Sequence, residues 1–304
     1  VERGEVDGVV IGRALLADEE FVRKAMDERY EQIAPCTGCG IGCVGEQTKR
    51  HPATCVINPR AGRERELVWT KTEEPKHVLV IGGGIGGLTA AYVCARRGHR
   101  VTLAEKSEEL GGQMRLACRA PYKQEISKWM IYLKQQCADH PIDIRLQCEA
   151  DAALVSELHP DVIIVATGAK PQLPPFAKEG SITAHDVLEE KVSIPGGNVA
   201  IIGGGMVPNN LVPTMQRLRQ DGVQLLVNTK VRSVTENSIE VESNGTVRTL
   251  SGYTHIVYAT GVSAQAALMS ELEGMAALYC IGDAKEPAQA LEAVRAAYEV
   301  GMRL

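Results

Sequence analysis

An α/β fold of the Rossmann-like, dinucleotide-binding kind is predicted by three features of the sequence. The first is VLVIGGGIGGLTAAYVCARRGHRVTLAE, Val78 to Glu105, which reads as an apolar strand, a glycine turn, a helix and a second strand. The second is a later apolar run, Asn198 to Ile202, leading into Gly203-Gly204-Gly205. The third is the recurrence of Ala-Thr-Gly at 166–168 and 259–261, each after an apolar strand pattern.

In the first feature Gly82, Gly84 and Gly87 spell GxGxxG, with Gly86 inside the motif. The first glycine allows the tight turn, the second lets a pyrophosphate approach the backbone, and the third lets the helix pack on the strand. The phosphates then face the helix N-terminus, where unpaired N–H groups and the dipole favour negative charge. Glu105 closes the second strand, about twenty residues on, where a carboxylate accepts from ribose hydroxyls and disfavours a 2′-phosphate. Glycine-rich turns also serve packing alone, but here strand, turn, helix, strand and acid stand together.

With 304 residues, 44% of them hydrophobic, the chain has material for a large core and at least two domains. A net charge of only −5 gives no electrostatic case for nucleic acid. No run of eighteen apolar residues or signal-like start is present, so the expectation is a soluble cytoplasmic protein without a membrane partner. The chain opens at Val1, inside what reads as an element, and is expected to be a processed or excised piece of a longer one.

Taken in order, residues 1–35 suggest a strand at Gly8 to Ile11, then Gly12-Arg13, then a helix from about Ala17 to Gln32 with Phe21, Val22 and Met26 on its apolar face. One strand and one helix amount to a single unit of a β/α barrel, which needs eight. Residues 36–74 carry Cys36, Cys39, Cys43 and Cys55, spaced C-x2-C-x3-C-x11-C. Three thiolates on one glycine-rich loop and a fourth from a separate turn suit a 4Fe-4S cluster. Structural zinc is the alternative, although it more often uses two spaced C-x2-C knuckles. The other five of the nine cysteines fall in predicted helices and strands and read as small core residues.

The first nucleotide domain is expected over 75–172 and 262–304, with an amphipathic helix from about Lys123 to Ala138 that presents Ile126, Trp129, Met130, Leu133 and Cys137. Strands are expected at Asp143 to Gln147 and Asp161 to Ala166, and PQLPPF marks a crossing into a second domain over 173–261. That domain adds strands near Val223 to Val227, Ser238 to Glu242 and His255 to Ala259, with Asn244-Gly245 as a hairpin turn. A last helix is expected from Pro287. The seven histidines show no ligand or catalytic spacing, and no nucleophile arrangement suggests itself.

EKSEELGGQ, with Gly111, Gly112 and Gln113, resembles the FAD-binding domain of the flavoprotein reductases that carry two dinucleotide folds. Ala166-Thr167-Gly168 and Ile281-Gly282-Asp283 match two further motifs of that group, which implies that Asp283 bonds the flavin's ribityl chain. Across nearly the whole chain, DGVVIGRALLADEEF, APCTGCGIGCVG, CVINPRAGRE and the glycine motif together resemble the NADH:flavin oxidoreductases related to 2,4-dienoyl-CoA reductase, enoate reductase and trimethylamine dehydrogenase. The resemblance implies an FMN barrel whose last unit includes Gly12 and Arg13 at the FMN phosphate. It implies a route from NAD(P)H to FAD, to the cluster, to FMN, and to an activated C=C bond. For a chain without the barrel, Arg13 reads instead as an ordinary surface arginine.

Two other readings stand beside this one. One is an ADP-binding, partner-docking module like that of the amine dehydrogenases, and the other is a free-standing reductase subunit like the small subunit of glutamate synthase. Small-molecule substrate contacts belong to the absent barrel, and homo-oligomerisation is left open. The 304-residue chain alone is therefore expected not to reduce an enoyl thioester or enone in a turnover assay, and measurable turnover would overturn the reading.

Gly203 and Gly205 would open the NAD(P)H site, but the continuation departs from the family. Pro208 takes the third-glycine position, Pro213 falls in the would-be helix, and Asn228 and Thr229 stand where a ribose reader belongs. In relatives, a segment like MVPNN lies beyond that helix and the following strand. One helix and one strand are therefore expected to be missing between Gly205 and Met206, with omission favoured over deletion.

Overall fold

The computed structural model of the chain describes residues 3–121, 123–204 and 211–304. Two compact units are formed, the first from Val1–Ala169 with Ala264–Leu304 and the second from Lys170–Ser263.

In the first unit, β1 (His77–Ile81), β2 (Arg100–Ala104), β3 (Ile142–Arg145) and β4 (Val162–Val165) are followed, after the second unit, by β13 (Ala277–Cys280). They form one sheet in the order β13-β4-β1-β2-β3, every pairing parallel. The direction of winding reverses between β1 and β4, which places a crevice at the carboxyl ends of those strands. β1 is buried at all five positions, as a strand covered on both faces must be. The helix Ile85–Arg97 starts in the glycine turn and ends at Gly98, whose φ of 101° is a left-handed stop. The helix Gln124–Ala138 buries Trp129, Met130, Leu133 and Cys137, four of the five residues assigned to its apolar face.

The cysteine segment packs into this same core. Ala34, Val56, Ile57 and Leu67 join Tyr92, Trp129 and Tyr298 in one buried cluster. Trp69 meets Tyr298 edge to face at 5.4 Å, and the Arg96 guanidinium lies 3.8 Å over the Trp69 ring.

The N-terminal expectation needs correction. No strand forms at Gly8 to Ile11, and Val10 is fully exposed at 100%, because an extended segment with no neighbouring ladder has nothing to pair with. The single helix expected from Ala17 to Gln32 is two short ones, Arg13–Ala17 and Phe21–Met26, followed by a 3-10 turn at Tyr30–Gln32. Buried Asp18 causes the break. Its carboxylate accepts from the Glu20 N–H at 3.0 Å, the Ala34 N–H at 2.8 Å and Lys24 Nζ at 2.7 Å, tying the far end of the segment back to its start. Of the assigned apolar face, Met26 is 79% exposed.

Around and within the second unit, β5 (Ala169–Pro171) pairs with β12 (Val262–Ala264). β6 (Ile182–Thr183), β7 (Val199–Gly203) and β11 (His255–Ala259) make a parallel sheet in the order β6-β11-β7. β8 (Thr229–Val234), β9 (Ser238–Ser243) and β10 (Thr246–Ser251) make an antiparallel one in the order β10-β9-β8. Asn244 and Gly245, with φ of 50° and 76°, turn the β9–β10 hairpin.

Three expectations shift here and at the C-terminus. The run Val223 to Val227 is not a strand; the ladder begins at Thr229, where β9 offers a partner. Pro213 does lie in a helix, Leu211–Gln220, but in its first turn, where a missing N–H leaves no bond unmade. The last helix starts at Ala290, beyond Pro287, because Gln289 and Glu292 close a reciprocal capping box there. No helix among the described residues is long and apolar enough to cross a membrane.

Candidate functional site

The glycine turn sits at the carboxyl end of β1, in the crevice of the first unit. Gly82 has φ of 107°, and a Cβ there would come within 2.4 Å of the Ala166 carbonyl oxygen, so the turn is pressed against the end of β4. A Cβ at Gly87 would reach 1.8 Å from the Gly82 carbonyl oxygen. At Gly84, by contrast, an added Cβ meets nothing within 4 Å. The three glycines thus divide into two closed by packing and one that faces open space.

The loop that follows β2 closes over this turn. The Gly111 N–H donates to the Gly83 carbonyl at 2.8 Å, and a Cβ on Gly112 would lie 3.0 Å from Gly84 Cα. Gln113 Nε2 donates to the Ala169 carbonyl at 3.1 Å, and the Thr167 hydroxyl donates to the Gln265 carbonyl at 2.6 Å. Gly168, with φ of 75°, lies beside Gln113. Gly82, Gly84, Gly86, Gly87, Gly112, Gln113 and Ala166 to Gly168 therefore gather at one end of the sheet. A Cβ on Gly86 would lie 3.8 Å from Ile281 Cδ1, which places Gly282-Asp283 near the start of the same helix. Asp283 occupies a short 3-10 turn, and its carboxylate accepts from the Ala288 N–H at 3.1 Å.

Glu105 is buried at the end of β2, and both its oxygens accept backbone bonds, from the Gly83 N–H at 2.5 Å and the Ser107 N–H at 2.8 Å. It thereby fixes the glycine turn to the loop after β2. A ribose would use the lone pairs left on the same oxygens. Glu105→Ala is accordingly expected to weaken dinucleotide binding by about 1–3 kcal/mol and to lower the melting temperature as well, since the buried Gly83 N–H and the part-buried Ser107 N–H lose their acceptor. Calorimetry and a thermal melt check this, and unchanged affinity would place the ribose elsewhere.

The four cysteines line a single cavity together with Arg13, Leu16, Gly40 and Gly42. Gly40, with φ of 67°, starts a wide π-type turn at Ile41–Gly45 that carries Cys43. Gly42 then meets the extended segment that leads to Cys55. The Thr54 N–H donates to the Gly42 carbonyl at 2.9 Å, and a Cβ on Gly42 would stand 2.7 Å from the Thr54 carbonyl oxygen. That contact draws Cys43 and Cys55 to the same cavity. Burial pushes the Cys55 thiol up, and neighbouring Cys39 and Cys36 push the same way, against the N–H groups of Asn58 and Ile57. Soft thiols relieved of their protons by metal suit the donor set of an iron-sulfur cluster. Among the described residues, no three His, Cys, Asp or Glu side chains are set to hold a single metal ion.

Gly12 is exposed, and Arg13 lies beside the cysteine loop, with Nη1 3.9 Å from where a Gly38 Cβ would be. In the second unit, Gly203 ends β7 with φ of 94°. Gly205 and the junction with Met206 lie outside the described residues, as does Pro208. The Gly42–Thr54 clamp and the Asp18 anchor escape sequence reasoning, because neither residue stands beside its partner in the chain.

Comparison with known proteins agrees with this geometry. A family model described as an NAD(P)-binding Rossmann-like domain matches residues 80–121, the glycine turn through the loop that closes on it. The bilirubin reductase of Mediterraneibacter gnavus is 35% identical over 276 residues, covering 80% of this chain and 43% of that protein. The cinnamate reductase of Clostridium sporogenes is 34% identical over 227 residues, covering 74% of this chain and 33% of that protein. Among solved structures, a 2-naphthoyl-CoA reductase in complex with 2-naphthoyl-CoA matches all of this chain and 51% of its own, with a TM-score of 0.93 at 26% identity. The chain thus spans less than half the length of these curated relatives.

Proposed function

Because the chain matches the NADH:flavin oxidoreductase family and carries a Rossmann-like NAD(P)-binding domain, we propose that it is the electron-transfer portion of a flavin and iron-sulfur oxidoreductase. The observation that carries this reading is that one unit presents both an open dinucleotide cradle at Gly84 and a cavity lined by Cys36, Cys39, Cys43 and Cys55. A mononuclear ion needs its donors about 2.0–2.3 Å from one point. A cluster instead holds its thiolates apart by the width of its own core, which suits four cysteines that line one cavity. When bound, a flavin supplies two-electron transfer and a cluster supplies one-electron transfer.

The chain's own residues then have distinct tasks. Gly82 and Gly87 hold the turn, Gly84 leaves room for the pyrophosphate, Glu105 orients the ribose, and Asp283 faces the ribityl chain of FAD. Cys36, Cys39, Cys43 and Cys55 ligate a 4Fe-4S cluster, and Gly12 and Arg13 approach an FMN phosphate in the whole protein. There NAD(P)H is the reductant and the substrate is an activated C=C bond in an enoyl thioester, enoate or enone. The names of a cinnamate reductase and a naphthoyl-CoA reductase among the relatives support that substrate class.

Nucleotide identity tests the proposal. Protein purified without oxygen is heat-released and the supernatant chromatographed; FAD is expected, and ADP without flavin would contradict the reading in favour of a docking module.

A further inference from the structure

We propose that Asn58 is a positioning residue for the cysteine cavity: it holds the turn after Cys55 so that backbone N–H groups stay aimed at the Cys55 sulfur, and thereby sets the reduction potential of the cluster. The inference rests on the proposed function in that it takes the four thiols to hold an iron-sulfur cluster.

Cys55 is followed by Val56-Ile57-Asn58-Pro59-Arg60-Ala61. Asparagine at the first position of a turn and proline at the second are the residues such a turn favours. The Ala61 N–H donates to the Asn58 carbonyl at 3.1 Å, and Asn58 Oδ1 accepts from the Arg60 N–H at 3.1 Å. Main chain and side chain of Asn58 thus close the same turn.

An asparagine serving the turn alone would leave its amide nitrogen to solvent. Here Asn58 Nδ2 donates instead to the Leu16 carbonyl at 3.1 Å, across 42 residues of sequence. Leu16 lies on the helix Arg13–Ala17, and Arg13 and Leu16 line the cavity with the four cysteines. Arg60 reaches back to the same stretch, since its guanidinium pairs with Glu19 while its Nε donates to the Leu67 carbonyl at 2.7 Å. Asn58 therefore ties the wall formed by Arg13 and Leu16 to the wall formed by Cys55, Val56 and Ile57.

The tie bears directly on the sulfur. The N–H groups of Ile57 and Asn58 donate toward Cys55. Reduction adds an electron to a centre already surrounded by four thiolates, and N–H dipoles aimed at a thiolate offset the added negative charge, which raises the potential. A turn released from Leu16 can rotate about Cys55 and lose that alignment while the thiolate remains a ligand. Val56 and Ile57 are buried in the core of the first unit, so cutting the tie leaves the segment anchored.

Asn58→Ala and Asn58→Ser test this beside the unaltered 304-residue chain, all purified anaerobically. Serine keeps an acceptor for the Arg60 N–H but is too short to donate to Leu16. Iron and acid-labile sulfide are quantified, and the potential is read from a dithionite titration followed by electron paramagnetic resonance. Both variants are expected to hold full iron and sulfide with a lower potential. The equilibrium constant for reduction should fall about tenfold, which is about 59 mV for a one-electron couple. An unchanged potential with the cluster in place would overturn the inference, even if the melting temperature fell, because Asn58 would then serve the turn alone. Loss of the cluster from both variants would overturn it too, by making the tie a condition of assembly. An unaltered chain without iron and sulfide is a separate result: it fails the proposed function itself, and the inference falls with it.

Discussion

Replacing any one of Cys36, Cys39, Cys43 or Cys55 with Ala is expected to bring iron and acid-labile sulfide close to background. All four thiols line one cavity, and a cluster that has lost one of four ligands exposes an iron to solvent. The melting temperature should fall with the iron, because the segment that holds the cysteines shares its buried contacts with the first unit's core through Val56, Ile57 and Leu67. Cys137→Ala and Cys148→Ala serve as controls. Cys137 is buried on the helix Gln124–Ala138, and Cys148 packs against the core cluster that contains Leu79 and Ile163, so iron should stay unchanged in both. Iron retained at full stoichiometry in two of the four ligand variants would remove the cluster from this cavity.

The second large effect is a contrast between two glycines three residues apart. Gly87→Ala puts a methyl group where the Gly82 carbonyl oxygen stands 1.8 Å away, so either the helix or the turn must move. The cost should lie at or above the top of the range of about 1–3 kcal/mol usual for overpacking. Gly84→Val should instead leave the fold intact. Its backbone is extended, with φ of −74° and ψ of −175°, a conformation any residue adopts, and an added Cβ meets nothing within 4 Å. Its side chain would occupy the space of the pyrophosphate, and nucleotide affinity should fall by about 3 kcal/mol, on the order of a hundredfold. Thermal melts with nucleotide titrations separate the two outcomes. A Gly84→Val variant that binds normally would show that the cradle lies elsewhere.

What the sequence discloses depends on how local the physics is. The glycine turn, its helix and β2 are legible because the motif, the apolar runs and Glu105 lie within one short stretch of chain. The cysteine spacing is legible for the same reason. The helix Gln124–Ala138 is visible because its apolar residues recur at helical spacing, and four of them are buried. The break at Asp18 is not legible, since its acceptor role is fixed by Ala34, sixteen residues away. Nor is the clamp between Gly42 and Thr54, which depends on how a π-type turn meets a later segment. VQLLV at 223–227 has strand composition, yet a strand exists only where a neighbour pairs with it, and pairing with β9 begins at Thr229.

The central claim is that one unit carries a flavin and a cluster together. Its most direct test is the absorption spectrum of the anaerobically purified chain, oxidised and then titrated with dithionite, with flavin, iron and sulfide quantified on the same sample. The account predicts a flavin spectrum over a broad iron-sulfur absorbance, iron and sulfide in equal amounts, and uptake of a further electron beyond the flavin's two. Stoichiometric zinc without sulfide, or a colourless protein that accepts no electrons, would contradict it.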